Sequence, residues 1–211
     1  MNPLRVSFPS GTLTLEGSLT LPEAATRVPA VAVCHPHPLY GGSMYNNVVD
    51  AIISALTERH IASFKFNFRG TGQSEGEHDN GNGEQDDLIA ALDYLTSRNE
   101  IDSRRLGVVG YSFGGMVAAR LASREKRIKT LALVSPALSP PDLSRLKDLA
   151  CPVLIISGDR DDFVPSASVR ALQKYLPQPS LAETVASADH FWWGQEKTMA
   201  DKVADYLLSH L

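Results

Sequence analysis

Short runs dense in valine and isoleucine alternate along the chain with longer stretches of helical rhythm, and that alternation limits which folds are open to it. The runs are Val28–Cys34, Ile61–Phe68, Leu106–Val109, Ile128–Val134 and Val153–Ser157. A run apolar at successive positions suits a strand covered on both faces, because side chains on both sides of the pleat must then avoid water. Between the runs, residues 44–59, 84–98, 112–123, 165–175 and 196–210 have helical spacing. The last of these places Met199, Val203, Tyr206 and Leu207 on one stripe. Residues 4–8 and 12–21 differ: Leu13, Leu15, Leu19 and Leu21 alternate with polar neighbours, as in a half-exposed antiparallel pair. The expectation is one α/β domain over 1–211, a mostly parallel sheet flanked by helices on both faces. In such sheets, sites form at the carboxyl ends of the strands.

The residues just beyond those strand ends are chemically specific. After Leu106–Val109 comes Gly110-Tyr111-Ser112-Phe113-Gly114-Gly115, running into the helical stretch. G-x-S-x-G between strand and helix is the pattern that lifts a serine hydroxyl clear of a sheet on a strained turn. The turn is tight, so side chains two residues before and after the serine would collide. The helix start aims N–H groups and partial positive charge at an anion forming beside the serine.

A serine needs a base, and the base an orienting acid. Val153–Ser157 leads into Gly158-Asp159-Arg160-Asp161-Asp162-Phe163-Val164-Pro165, and the strand-like Ala182–Val185 leads to Asp189-His190-Phe191. Serine, acid and histidine in that order, each just past a strand, match the order this elbow requires. Asp159, Asp161 and Asp162 all qualify as the acid, with Asp142 after the preceding strand a further alternative. Such acids also cap helices and stabilise turns without any catalytic role.

With these residues in view, the chain resembles α/β-hydrolases over nearly its whole length, in particular the small lidless hydrolases related to dienelactone hydrolases. The matching stretches are His35-Pro36-His37-Pro38-Leu39-Tyr40-Gly41-Gly42, Asn67-Phe68-Arg69-Gly70-Thr71-Gly72-Gln73-Ser74-Glu75-Gly76, Gly110–Gly115, Gly158–Pro165 and Asp189-His190-Phe191. The resemblance implies an α/β-hydrolase fold with no cap domain. The segment between Val134 and Val153 is too short for one, and Pro136, Pro140 and Pro141 suggest a stiff loop there. The resemblance also implies that the triad acid is the third residue after the strand-end glycine, here Asp161. Dienelactone hydrolases proper use a cysteine nucleophile, whereas Ser112 stands here, which points to general ester chemistry. The oxyanion hole of such enzymes takes one N–H from the residue after the nucleophile, Phe113, and a second from the loop after the third strand. Proline has no N–H, so within His35–Pro38 the second donor is His37, with Leu39 as the alternative.

The implied reaction is cleavage of a carboxylic ester or thioester of a small acyl substrate through Ser112, His190 and Asp161 and an acyl-enzyme. An acyltransferase on the same residues, or a silent binding module, would share the fold. Tyr40, Tyr45, Phe163 and Trp192, with Phe113 and Trp193, lie close to the site in sequence and are candidates to line an apolar pocket. No cofactor is expected. His35 and His37 form an H-x-H pair without a third ligand in a matching context, so a metal is not expected either. Arg69-Gly70-x-Gly72-x-Ser74 lacks the ending of a phosphate-binding loop and reads as structural.

Formal charge is −4, which gives no electrostatic reason to bind nucleic acid or anionic lipid. The basic run Arg124–Lys129 reads as a solvated helix end. MNPLRVSFPSGTLTLEG has no apolar stretch of signal-peptide length, and Cys34 and Cys151 lie in or beside apolar strands. The expectation is a cytoplasmic protein with reduced, buried thiols and no membrane association.

Overall fold

A computed structural model describes residues 3–23 and 27–211; residues 1, 2 and 24–26 of the expected domain lie outside the described residues. The strands are β1 (Leu4–Ser10), β2 (Leu13–Thr20), β3 (Val28–Cys34), β4 (Ala62–Phe66), β5 (Ile101–Tyr111), β6 (Ile128–Val134), β7 (Val153–Gly158) and β8 (Leu181–Val185). The helices are α1 (Asn47–Glu58), α2 (Gly83–Thr96), α3 (Phe113–Ala122), α4 (Pro140–Arg145), α5 (Ser166–Leu172) and α6 (Glu196–Leu208). All eight strands form one sheet in the order β1-β2-β4-β3-β5-β6-β7-β8. β1, β2 and β4 pair antiparallel, and every pair from β4 through β8 is parallel.

The two-sided burial expected of the apolar runs follows the pleat. Ala30, Ala32 and Cys34 of β3, Leu106 and Val108 of β5, and Val153 and Ile155 of β7 enter one core, with Leu88 of α2, Val117 of α3 and Val169 of α5. The intervening Val31, Val33, Val109, Tyr111, Leu154 and Ile156 enter the other, beneath α1 and α6. A one-residue slip in one of these strands would exchange the two sets and undo the side-chain interdigitation of both cores, so close packing fixes the register. α1 and α6 are further joined by Arg59, which reaches Asp205 at 2.7 Å and Asp201 at 3.3 Å.

The parallel part of the sheet and the antiparallel start at β1 and β2 agree with the expectations from sequence. β5 is longer than the apolar run, because Ile101 pairs with Val28 before a register shift at Ala30. The segment after β6, expected to be a stiff proline loop, contains α4 instead. Its start is legible as a capping box with prolines in the first turn: Ser139 Oγ donates to Asp142 Oδ2 at 2.6 Å, and the Ser139 N–H donates to the same oxygen at 3.0 Å. With only α4 and the 3₁₀ turn Leu146–Asp148 between β6 and β7, this segment holds no cap domain. Among the described residues, no helix is long and apolar enough to cross a membrane.

Candidate active site

Ser112 is the single residue between β5 and α3, with φ 52° and ψ −113°. That region is strained for any residue carrying a Cβ, and it aims the serine off the carboxyl edge of the sheet. Close packing on both sides explains the glycines. A Cβ on Gly110 would overlap the Gly114 carbonyl oxygen. A Cβ on Gly114 would lie 2.5 Å from the Cys34 carbonyl oxygen and 2.6 Å from that of His35. Gly114 is therefore required by the chain leaving β3, not by the serine itself.

Four loops at the carboxyl ends of β3, β5, β7 and β8 meet at Ser112. His190 Nε2 lies 3.1 Å from Ser112 Oγ, and His190 Nδ1 lies 3.0 and 3.1 Å from the two Asp161 carboxylate oxygens. Only an Nδ1–H can donate to a carboxylate, which leaves Nε2 free to accept the serine proton. Asp161 also accepts the N–H groups of Phe163 and Val164 at 2.9 and 2.8 Å. Burial pushes its carboxyl upward, but hydrogen bonding to His190 and to the Val164 N–H outweighs this and holds it below the ordinary carboxylate range. Asp161 therefore stays ionised well into acid and keeps its grip on the imidazole. The other acids serve elsewhere. Asp159 accepts the Ser187 N–H at 2.7 Å, Asp162 is exposed, and Asp142 pairs with Arg120 at 2.7 Å.

The two backbone donors expected from the sequence sit against each other. The His37 and Phe113 rings are 4.8 Å apart, and neither residue's N–H has an internal partner among the described residues. The Leu39 N–H, the alternative, is committed to His37 Nδ1 at 3.2 Å.

His35 anchors this loop from beneath. Its Nδ1 lies 2.6 Å from the Pro36 carbonyl oxygen, and its Nε2 accepts the Phe68 N–H at 3.1 Å, so both nitrogens are used with the ring neutral. Burial lowers its pKa to about 4. The unfolded chain therefore takes up a proton below about pH 6.5 that the fold refuses until near pH 4, and stability falls over that window. The shift corresponds to about 3 kcal/mol lost between pH 7 and 4. Urea unfolding at stepped pH is expected to show a steeper loss of stability in the wild type than in His35→Gln over this window; equal slopes would refute it.

Tyr111, one residue before the serine, donates its hydroxyl to the His190 carbonyl oxygen at 2.8 Å. Burial holds this phenol well above its usual range, so it remains a donor. This tie between the serine and histidine loops has no motif, and no sequence signal points to it. Neither cysteine offers a thiolate: burial pushes the Cys34 thiol far up and that of Cys151 to about 11.

The aromatic candidates divide. Phe163, 70% exposed, lies tilted 4.7 Å from His190; Tyr40, 87% exposed, lies 4.8 Å from His37; and Trp193 is 68% exposed. Tyr45 is exposed beside Lys65. Trp192 does not line a pocket. It is wholly buried in the core beneath α1 and α6, with its indole N–H on Ser135 Oγ at 3.2 Å, because a positive φ of 64° turns it inward where Trp193 turns out. The Phe113 ring is likewise buried. The loop at residues 69–76 is structural, as expected: Ser74 Oγ donates to the Asn67 carbonyl oxygen at 2.7 Å, and Glu16 accepts the Gln73 N–H at 2.7 Å.

Comparison with known proteins bears on the family and the fold. Residues 72–202 match the Dienelactone hydrolase family. The structure superposes with a TM-score of 0.85 on an α/β serine hydrolase without a lid from Xanthomonas campestris, 29% identical, covering 99% of this chain and 94% of that one. An uncharacterized protein of Rickettsia prowazekii is 33% identical over 189 residues, 86% of this chain and 79% of its own. The bis(hydroxyethyl) terephthalate hydrolase of Streptomyces coelicolor is 34% identical over 133 residues, covering 59% of this chain but only 40% of that protein. The sheet order, the serine at the strand–helix turn and the match over 72–202 lead to one assignment: the chain belongs to the Dienelactone hydrolase family and has the lidless α/β-hydrolase fold.

Proposed function

We propose that the chain, acting as one domain, is a serine hydrolase that cleaves carboxylic ester or thioester bonds of small acyl substrates. The observation that carries this reading is the continuous hydrogen-bonded line from Ser112 Oγ through His190 to Asp161. His190 Nε2 takes the Ser112 proton as Oγ attacks the acyl carbonyl, and Asp161 stabilises the imidazolium that forms. The carbonyl oxygen, now an oxyanion, is met by the His37 and Phe113 N–H groups, and one such donor contributes roughly 3 kcal/mol to the barrier reduction. Collapse expels the alcohol or thiol, which takes the proton from His190, and leaves the acyl group on Ser112. His190 then deprotonates water, whose oxygen attacks the acyl carbon, and returns that proton to Ser112 Oγ as the acyl bond breaks, releasing the acid and the free serine.

The exposed rings of Phe163, Tyr40 and Trp193 favour an apolar or aromatic group on the substrate, since contact with them removes apolar surface from water. The Streptomyces relative, named for an ester of an aromatic acid, is in keeping with that preference. A fluorophosphonate probe followed by peptide mass spectrometry tests the reading. The adduct is expected on Ser112 of the wild type and absent from His190→Ala. Unlabelled but folded wild-type protein would count against an activated serine.

A further inference from the structure

A second polar cluster lies beside the site, outside the serine–histidine–aspartate line. Glu84, in the first turn of α2, has a fully buried side chain. Its Oε1 accepts the Asp79 N–H at 2.9 Å and its Oε2 the Gly81 N–H at 2.8 Å. Oε1 also lies 2.8 Å from His78 Nδ1, off the line of a regular hydrogen bond. A carboxylate taken out of water is costly unless its lone pairs are met, so this one holds its partners in fixed places. The His78 ring beside it is almost fully covered. It lies 4.9 Å from the His37 ring and 5.2 Å from the Phe113 ring, which are themselves 4.8 Å apart. Three rings in mutual contact thus include both residues whose N–H groups have no internal partner among the described residues, and the third lies against a buried acid on a different element.

We infer that His78, held by Glu84, is a positioning residue of the oxyanion hole: it wedges the His37 and Phe113 rings and so sets the spacing of their backbone N–H groups. The inference rests on the proposed hydrolase reading for its catalytic consequence, but the wedge itself is a statement about two amides. Nothing in the contacts brings His78 to the substrate. Its effect should fall on the step that develops the oxyanion and not on substrate affinity, because a donor displaced by about 1 Å loses much of its effect while ground-state contacts persist.

The test uses full-length protein with His78→Ala, which removes the ring, and His78→Phe, which restores a ring without the imidazole. For ester hydrolysis, His78→Ala is expected to lower kcat by at least about tenfold with KM within about twofold, and His78→Phe to recover to within about threefold of the wild type. Nitrogen-15 relaxation at the His37 and Phe113 amides is expected to show rigid N–H groups in the wild type and His78→Phe, and added motion in His78→Ala. An unchanged kcat in His78→Ala, a rise in KM alone, or unchanged amides would each overturn the inference. A wild type without Ser112-dependent hydrolysis would instead overturn the hydrolase reading, and the amide measurement would still decide the wedge.

Discussion

Ser112→Ala is expected to lower ester hydrolysis by at least about 10⁴-fold, because no other group in the site can form the acyl-enzyme. The fold should be indifferent to the change. Alanine at φ 52° is as strained as serine, and the hydroxyl's partner within the site is His190 Nε2. Thermal unfolding of the alanine variant should therefore match the wild type. Ser112→Gly separates strain from chemistry. It is equally inactive, yet relief of the left-handed backbone outweighs the extra chain entropy of glycine and stabilises the protein by about 1 kcal/mol. Hydrolysis at the wild-type rate in either variant would place the nucleophile elsewhere.

Gly114→Ala is expected to damage both stability and rate. The new methyl would lie 2.5 and 2.6 Å from the Cys34 and His35 carbonyl oxygens, closer than such atoms approach, and both obstacles are backbone. Either the start of α3 or the loop after β3 must retreat, at a cost of about 3 kcal/mol in denaturant unfolding. The retreat separates the Phe113 and His37 N–H groups, so a loss of about 10²-fold in kcat accompanies it. Gly11→Ala is the control. Unlike the helical Gly114, Gly11 has a positive φ, 60°, and nothing lies within 4 Å of its added methyl. It should cost about 1 kcal/mol and leave kcat intact. Equal effects at the two positions would mean that the approach of β3 to the elbow does not demand glycine at 114.

The sheet is legible in the sequence because strands buried on both faces must be apolar at every position, and that requirement leaves a continuous mark. The serine turn is legible for a related reason: a backbone forced together around Ser112 excludes Cβ atoms and so writes glycine into the chain. Asp161 is harder, since Asp159 and Asp162 are chemically identical neighbours; what separates them is the turn that sends the Phe163 and Val164 N–H groups to one carboxylate. Trp192 misleads because sequence proximity to His190 says nothing about a reversal of φ. Tyr111 and Glu84 are invisible for another reason. Their partners lie across the fold or around a loop, and a hydrogen bond to a backbone carbonyl or N–H leaves no residue type to find at the other end.

β8, which leads into the loop bearing His190, is an edge strand of the sheet, five residues long, paired to β7 alone and with only Val185 buried. The base of the proposed reaction thus follows a short edge strand with few buried side chains, while the serine follows a central strand. Two buried bonds moor that segment inward, Tyr111 to the His190 carbonyl and the Trp192 indole to Ser135. The position of the proposed base thus depends on how firmly these two bonds hold one border of the sheet.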